Sequence, residues 1–158
     1  MPRKTRVYKN RKYLQPDPKF GNLTLSKFIN QIMRDGKKSV AQGVVYDALD
    51  IISEKTKDDP LMVFDTAMRN VGPVLEVKGR RIGGANYQIA QEVRGDRKET
   101  LAMRWLRDSA RSRSENKMSS KLAGELIDAS KKEGGAMKKR EEVHRMAEAN
   151  RAFSHFAR

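Results

Sequence analysis

The chain of 158 residues has no cysteine. That excludes disulfides, thiolate metal sites and cysteine nucleophiles, and it is compatible with a reducing compartment. Proline is scarce, at five residues, and histidine scarcer, at two. Acids are few beside bases: 20 Asp and Glu against 34 Lys and Arg, for a net charge of +14 and a pI near 10.2. No segment approaches the roughly 18 apolar residues of a membrane-spanning helix, and no lipidation motif is present. The N-terminus is basic but lacks the apolar stretch of a secretory signal. What remains is a chain long enough for one domain with a real core. Its charge favours a polyanionic partner.

Arg80-Arg81-Ile82-Gly83-Gly84-Ala85-Asn86-Tyr87-Gln88 reads as the tip of a basic β-hairpin. Strand-forming residues flank it, Val74–Lys78 before and Tyr87–Val93 after. Gly83-Gly84 supplies the positive φ pair that a two-residue turn needs. Period-2 counting puts Leu75, Val77, Ile89 and Val93 on apolar faces, with Lys78 and Arg80 on the opposite face of their strand. Such a ribbon suits a nucleic-acid groove better than a dry core.

The remainder reads as helical. Residues 1–20 form a basic arm, with Arg3, Lys4, Arg6, Lys9, Arg11 and Lys12 and no acid in the first dozen residues. This arm either orders on nucleic acid or serves as a solubilising tail. Pro16-Asp17-Pro18 closes it. Apolar spacing predicts a first helix over about Thr24–Asp35, ended by Gly36. The second opens at Lys37-Lys38, with Val40, Val44, Ala48, Ile51 and Ile52 on one side. Asp59-Pro60 opens a third helix with Val63, Phe64, Ala67, Met68 and Val71 inside, stopped by Gly72-Pro73. After the hairpin (about 74–94), Asp96 and Glu99 form a capping-box pattern, so a fourth helix is expected from near Arg97 to Ser112. Ala102, Trp105, Leu106 and Ser109 face in. A fifth helix carries Leu122, Ala123, Leu126, Ile127 and Ala129 and stops at Gly134-Gly135. The last, about Ala136–Ser154, has Val143, Met146, Ala147, Ala149 and Phe153 as its sparse apolar side. The expected architecture is mainly α. About six helices form a bundle in a single domain over 21–158, with one protruding hairpin between helices three and four.

Catalytic signatures fail their tests. Gly36-Lys37 lacks the glycine and the Ser or Thr of a phosphate-binding loop. His144 and Glu148, one turn apart, lack a third metal ligand, and His155 has no evident partner. The serines sit in no nucleophile-elbow pattern. No metal, cofactor or small-molecule substrate is expected. Arg104, Arg107 and Arg111 share one helix face, with Arg97 and Lys98 before and Arg113, Lys117 and Lys121 after. Arginine's planar fork binds phosphate in pairs and stacks on bases. Tyr87 either stacks on a base or packs across the ribbon. Two other classes remain open. An architectural DNA-binding protein can insert a β-ribbon into the minor groove, but it favours an apolar wedge, and this tip offers only Ile82 and Ala85. A nuclease needs clustered acids or histidines, and none is evident.

The blocks Leu25–Asn30 with Asp35–Ser39, Glu76–Gly84, Ala102–Leu106 and Lys138–Phe153 together resemble the bacterial small-subunit ribosomal protein S-seven family, over nearly the whole chain. The resemblance implies a cytoplasmic ribosomal protein that binds the 3′ major domain of small-subunit rRNA and nucleates assembly of the subunit head. It implies a place at the subunit interface near exit-site tRNA and mRNA, beside neighbouring head and platform proteins. Carried over, Arg3, Lys4, Arg6, Lys37, Lys38, Lys78, Arg94, Arg97, Arg104, Arg107, Arg111, Arg113 and Lys117 face rRNA. Arg80, Arg81, Gly83, Gly84, Tyr87, His144 and Arg151 approach tRNA or mRNA. The chain departs from the family pattern at Gly79, where serine is common, and at Ala90 and Gly95, where proline is common. The glycines are expected to loosen the hairpin.

Overall fold

The computed structural model describes residues 14–153, which form six helices and one two-stranded antiparallel hairpin placed between the third and fourth. Two compact units divide the chain, Met1–Gln42 and Gly43–Arg158. The expected mainly helical class with a single hairpin is what the structure shows.

In the first unit Asp17 is buried, and its carboxylate accepts from the N–H groups of Lys19 and Phe20, each at 3.1 Å. The prolines therefore frame a turn rather than a free tail. Helix α1 (Leu23–Ile32) starts on the Asn22 side chain, which accepts from the Thr24 and Leu25 amides at 2.8 and 3.1 Å. Leu25, Phe28, Ile29 and Ile32 are its buried apolar residues, with Ser26 buried beside them. It ends before the expected Asp35, because Met33 leaves the helical region and both Asp35 and Gly36 adopt positive φ, 52° and 72°.

Helix α2 (Lys38–Thr56) buries Ala48 and Ile52 as expected, but Ala41, Val45 and Leu49 in place of Val40, Val44 and Ile51. Val40 is 62% exposed. Val44, Val45, Ile51 and Ile52 surround this helix with apolar residues, so two stripes fit the spacing equally well.

In the second unit α3 (Pro60–Val71) is capped by Asp59, which accepts from the Leu61 amide at 3.0 Å, and it buries the five expected residues. Strands β1 (Leu75–Ile82) and β2 (Ala85–Glu92) form the hairpin, and Gly83 and Gly84 both have positive φ, 56° and 87°. Helix α4 (Gly95–Arg111) begins two residues earlier than expected, with Arg94 at its N-cap and no side-chain cap. The Asp96 capping box does not form; Asp96 lies inside the first turn, where a carboxylate favours the positive end of the helix dipole. Helix α5 (Met118–Ser130) and α6 (Gly135–Ala149) complete the unit. A short 3₁₀ turn, residues 151–153, replaces the expected continuation of α6. Asn150 stops that helix, its side-chain amide donating to the Met146 carbonyl at 2.8 Å.

Helix α3 packs on α5 and α4, α4 on α5 and α6, and α6 on both strands of the hairpin. A two-stranded ribbon is marginal alone, and this packing at its base is what steadies it.

Candidate nucleic-acid interface

The hairpin register pairs Lys78 with Ile89, Arg80 with Tyr87, Arg81 with Asn86 and Ile82 with Ala85. Directly paired residues share a face, so Lys78 and Arg80 lie on one side of the ribbon and Arg81 on the other. Buried Ile89 shares the face of Lys78, so the clean split between an apolar and a basic face does not hold. Near the tip Arg80, Arg81, Gly83, Gly84, Asn86 and Gln88 are all exposed. The two central turn residues carry no side chain, which lets a partner's backbone come close.

At the ribbon's base, buried Glu76 receives Lys78 at 3.1 Å and Arg97 at 3.2 Å. Burial pushes its carboxyl up, but the hydrogen bonds and charges of Lys78 and Arg97 outweigh this and hold it below the ordinary value. One carboxylate thus aims two cations. With Gln91, Glu92 and Arg94 they line a depression of about 570 Å³. On α4, Arg104 and Arg111 are exposed and Arg107 half-buried, with Arg107 Nε donating to Asp108 at 2.7 Å. Lys117, the N-cap residue of α5, is exposed. In the first unit Lys37 and Lys38 are exposed at a tight turn, where the Lys37 amide donates to the Arg34 carbonyl at 3.0 Å. Arg3, Lys4 and Arg6, with the rest of the basic run, lie outside the described residues, as does His155.

Among the described residues no cluster of three or more His, Asp or Glu is placed to hold a metal ion. No helix there is long and apolar enough to cross a membrane.

The family model of ribosomal protein S7p/S5e matches residues 2–151. The chain belongs to this ribosomal protein family. It is 62% identical to the small ribosomal subunit protein uS7 of Teredinibacter turnerae, and 60% identical to those of Methylibium petroleiphilum and Dechloromonas aromatica. Each comparison spans 99% of this chain and 99% of the relative.

Several residues that the S7p/S5e resemblance assigns to RNA are held inward by the fold. Arg113 donates to Glu115 at 2.9 Å, to buried Glu125 at 3.1 Å and to Asp128 at 2.7 Å. The Asp128 bond raises its already high pKa further, against the pull of burial. A guanidinium that meets three carboxylates clamps the end of α4 to α5, which weighs against the expected rRNA contact at Arg113. His144 accepts from the Val74 amide at 3.1 Å through Nε2 and so pins α6 to the start of the hairpin. Burial, then the nearby Arg140 charge, lowers its pKa, which keeps it the neutral acceptor this bond requires. Tyr87 packs on Phe153, in the 3₁₀ turn after α6, with ring centroids 5.4 Å apart, a contact that neither base stacking nor packing across the ribbon describes. Arg151 is exposed and, with His144, Leu75 and Glu92, borders the seam between α6 and the ribbon.

Two residues, Glu125 and Asn70, gave no signal that the sequence patterns above captured. Glu125, 1% exposed, accepts from the Ala136 amide at 2.8 Å and so caps α6 from α5. A carboxylate amid Leu122, Ala123, Leu126 and Ala129 is the signal that could have shown it. Asn70 donates to the carbonyls of Ala129 and Ser130, both at 2.9 Å, and caps the end of α5 from α3. Trp105, expected in the core, is only half-buried.

Proposed function

We propose that this chain is a structural constituent of the small ribosomal subunit that binds the 3′ major domain of its rRNA directly. The observation that carries the reading is the concentration of exposed cations on two adjoining elements of the second unit, the hairpin and α4, in a chain of net charge +14. Lys78 and Arg97, aimed by Glu76, would grip backbone at the ribbon's base with Arg94. Arg104, Arg107 and Arg111 would grip it along α4. Lys37 and Lys38, Lys117 and the arm residues Arg3, Lys4 and Arg6 add phosphate contacts. Phosphate contacts of this kind release counterions and hold a folded junction in one shape. The ribbon tip, Arg80, Arg81, Gly83 and Gly84, is left for exit-site tRNA or mRNA, with head and platform proteins as neighbours and the cytoplasm as compartment. Beside its two turn glycines the tip offers only Ile82 and Ala85 as an apolar wedge, and this disfavours the minor-groove DNA alternative.

Changing Arg104, Arg107 and Arg111 together to Ala should leave the melting curve in place. It should weaken binding to a transcript of the 3′ major domain and lower the salt slope by about 2 to 3, roughly 0.7–0.9 per phosphate contact. An unchanged slope would remove α4 from the interface. Tighter binding to duplex DNA than to the transcript would replace the reading altogether.

A further inference from the structure

Where α4 meets the start of α6 lies a cleft of about 720 Å³, within the range of roughly 300–1,000 Å³ that seats small ligands. Close approach of the two helices makes its floor. A Cβ on Gly135 would come within 3.1 Å of the Ser109 Cβ, tighter than an ordinary contact, so glycine lets the start of α6 lie close against α4. Trp105 lines this cleft, half-buried, beside Arg104, Asp108, Lys138, Lys139, Glu142 and Arg145. Cations outnumber carboxylates four to two. Lys139 is paired with Glu142 at 2.8 Å, and Arg145 adds to the charge that holds the Glu142 carboxyl below its ordinary value. Arg104 and Lys138 are exposed and meet no carboxylate among the described residues. An accessible indole in a cationic slot is the pairing that unpaired nucleotides use, a π-face for the base and ammonium or guanidinium groups for its phosphate. A duplex offers no free base face to such a slot, and an acidic peptide has no use for the indole face.

We infer that this cleft seats a single unpaired nucleotide of RNA, its base against Trp105 and its phosphate among Arg104, Lys138 and Arg145. The inference rests on the RNA-binding reading above and adds a second kind of contact to it, one made to a base rather than to backbone alone.

Trp105 is the only tryptophan in the chain, so its fluorescence reports this cleft and nothing else. Full-length protein titrated with an oligoadenylate hexamer should show quenching, and inorganic phosphate at the same concentration should not. Lys138→Ala with Arg145→Ala should shift the quenching curve to higher concentration. Trp105→Leu should weaken binding to the 3′ major domain transcript about tenfold, and Trp105→Phe, which keeps a ring and guards against misfolding, about two- to threefold. Circular dichroism melts establish that each variant is folded. Strong transcript binding with no quenching, and no loss in Trp105→Leu, would overturn the cleft while leaving the RNA reading intact. Equal quenching by phosphate alone would reduce it to an anion site. Quenching by a polyglutamate peptide but not by the hexamer would make it a protein-docking slot. A wild-type protein that fails to bind the transcript would sink both readings.

Discussion

Arg104 and Arg113 belong to one basic run in the sequence, yet they live in different environments. Arg104 projects from the middle of α4 into the open. Arg113, just past the end of that helix, is folded over three carboxylates, one of them buried. The residue type is the same, and so is the local excess of positive charge. What differs is supplied from 12 and 15 residues further along, by Glu125 and Asp128 on α5. A charge run is therefore not one surface. It divides wherever the fold returns acids to it, and a cation that meets several carboxylates has less to offer an anionic partner than one that meets a single carboxylate or none.

Arg113 and Arg104 should part most clearly in what each does for stability. Arg113→Ala leaves Glu125 buried without its charge partner, and loss of one partner from such a pair destabilises by about 3–5 kcal/mol. Urea unfolding at neutral pH should show this, while Arg104→Ala should move the midpoint little, as exposed substitutions stay within about 0.5 kcal/mol. Transcript affinity should respond in the opposite order. If folded Arg113→Ala lost as much RNA affinity as Arg104→Ala, the division between clamp and contact would not stand. Glu125→Gln separates the clamp's two halves, since the amide oxygen still accepts from Ala136 but the charge is gone. Its loss should be smaller than that of Arg113→Ala.

How far this could be read from the sequence follows the range of the physics involved. The inner face of α3 was legible because its apolar residues repeat on one side between Asp59-Pro60 and Gly72-Pro73, all local signals. The hairpin and its turn were legible for the same reason, since Gly83-Gly84 fits little else. The inner face of α2 was legible only at Ala48 and Ile52, because Val40 and Val44 offer a second stripe that only packing rejects. The partners of Arg113 and His144 were not legible, because they lie far along the chain. Val74 lies 70 residues from the imidazole it donates to, and no spacing rule reaches across that gap. Much of the site's charge was visible, but which charges were already answered was not.

His144 sharpens the contrast between hairpin tip and hairpin base by making the base sensitive to pH. Its pKa lies below the ordinary value in the folded protein, so the unfolded chain binds the proton first. Stability from this group is full above about pH 6.5 and is lost as the pH falls through the folded value. Protonated, both ring nitrogens donate, and the Val74 amide loses its acceptor. Hydrogen exchange at Val74, corrected for intrinsic rate, should speed up between pH 7.5 and 5 while exchange at Arg81 near the tip is unaffected. His144→Ala should abolish that pH dependence and cost about 0.5–1.5 kcal/mol. Equal acceleration at tip and base would mean that the whole ribbon, not its anchor, responds.

The smallest effect concerns the stiffness of the junction that joins ribbon to α4. Gly95 is the first residue of that helix, and its predecessor Arg94 sits at φ −66° and ψ 153°, an extended conformation. Proline at the first helical position loses only an N–H that has no helical partner, and it demands extended backbone in the residue before it, which is already present. A Cβ at Gly95 meets nothing within 4 Å. Gly95→Pro should therefore stabilise the protein by about 0.4–1 kcal/mol, chiefly by restricting the unfolded chain. It should leave transcript affinity unchanged if the base contacts of Arg94 and Arg97 are already in place, and improve it if RNA has to order them. Thermal melts and filter binding on the same variant decide between these. A destabilised Gly95→Pro would show that the start of α4 is set further along the chain than Gly95, at the Asp96 that the sequence pattern first suggested.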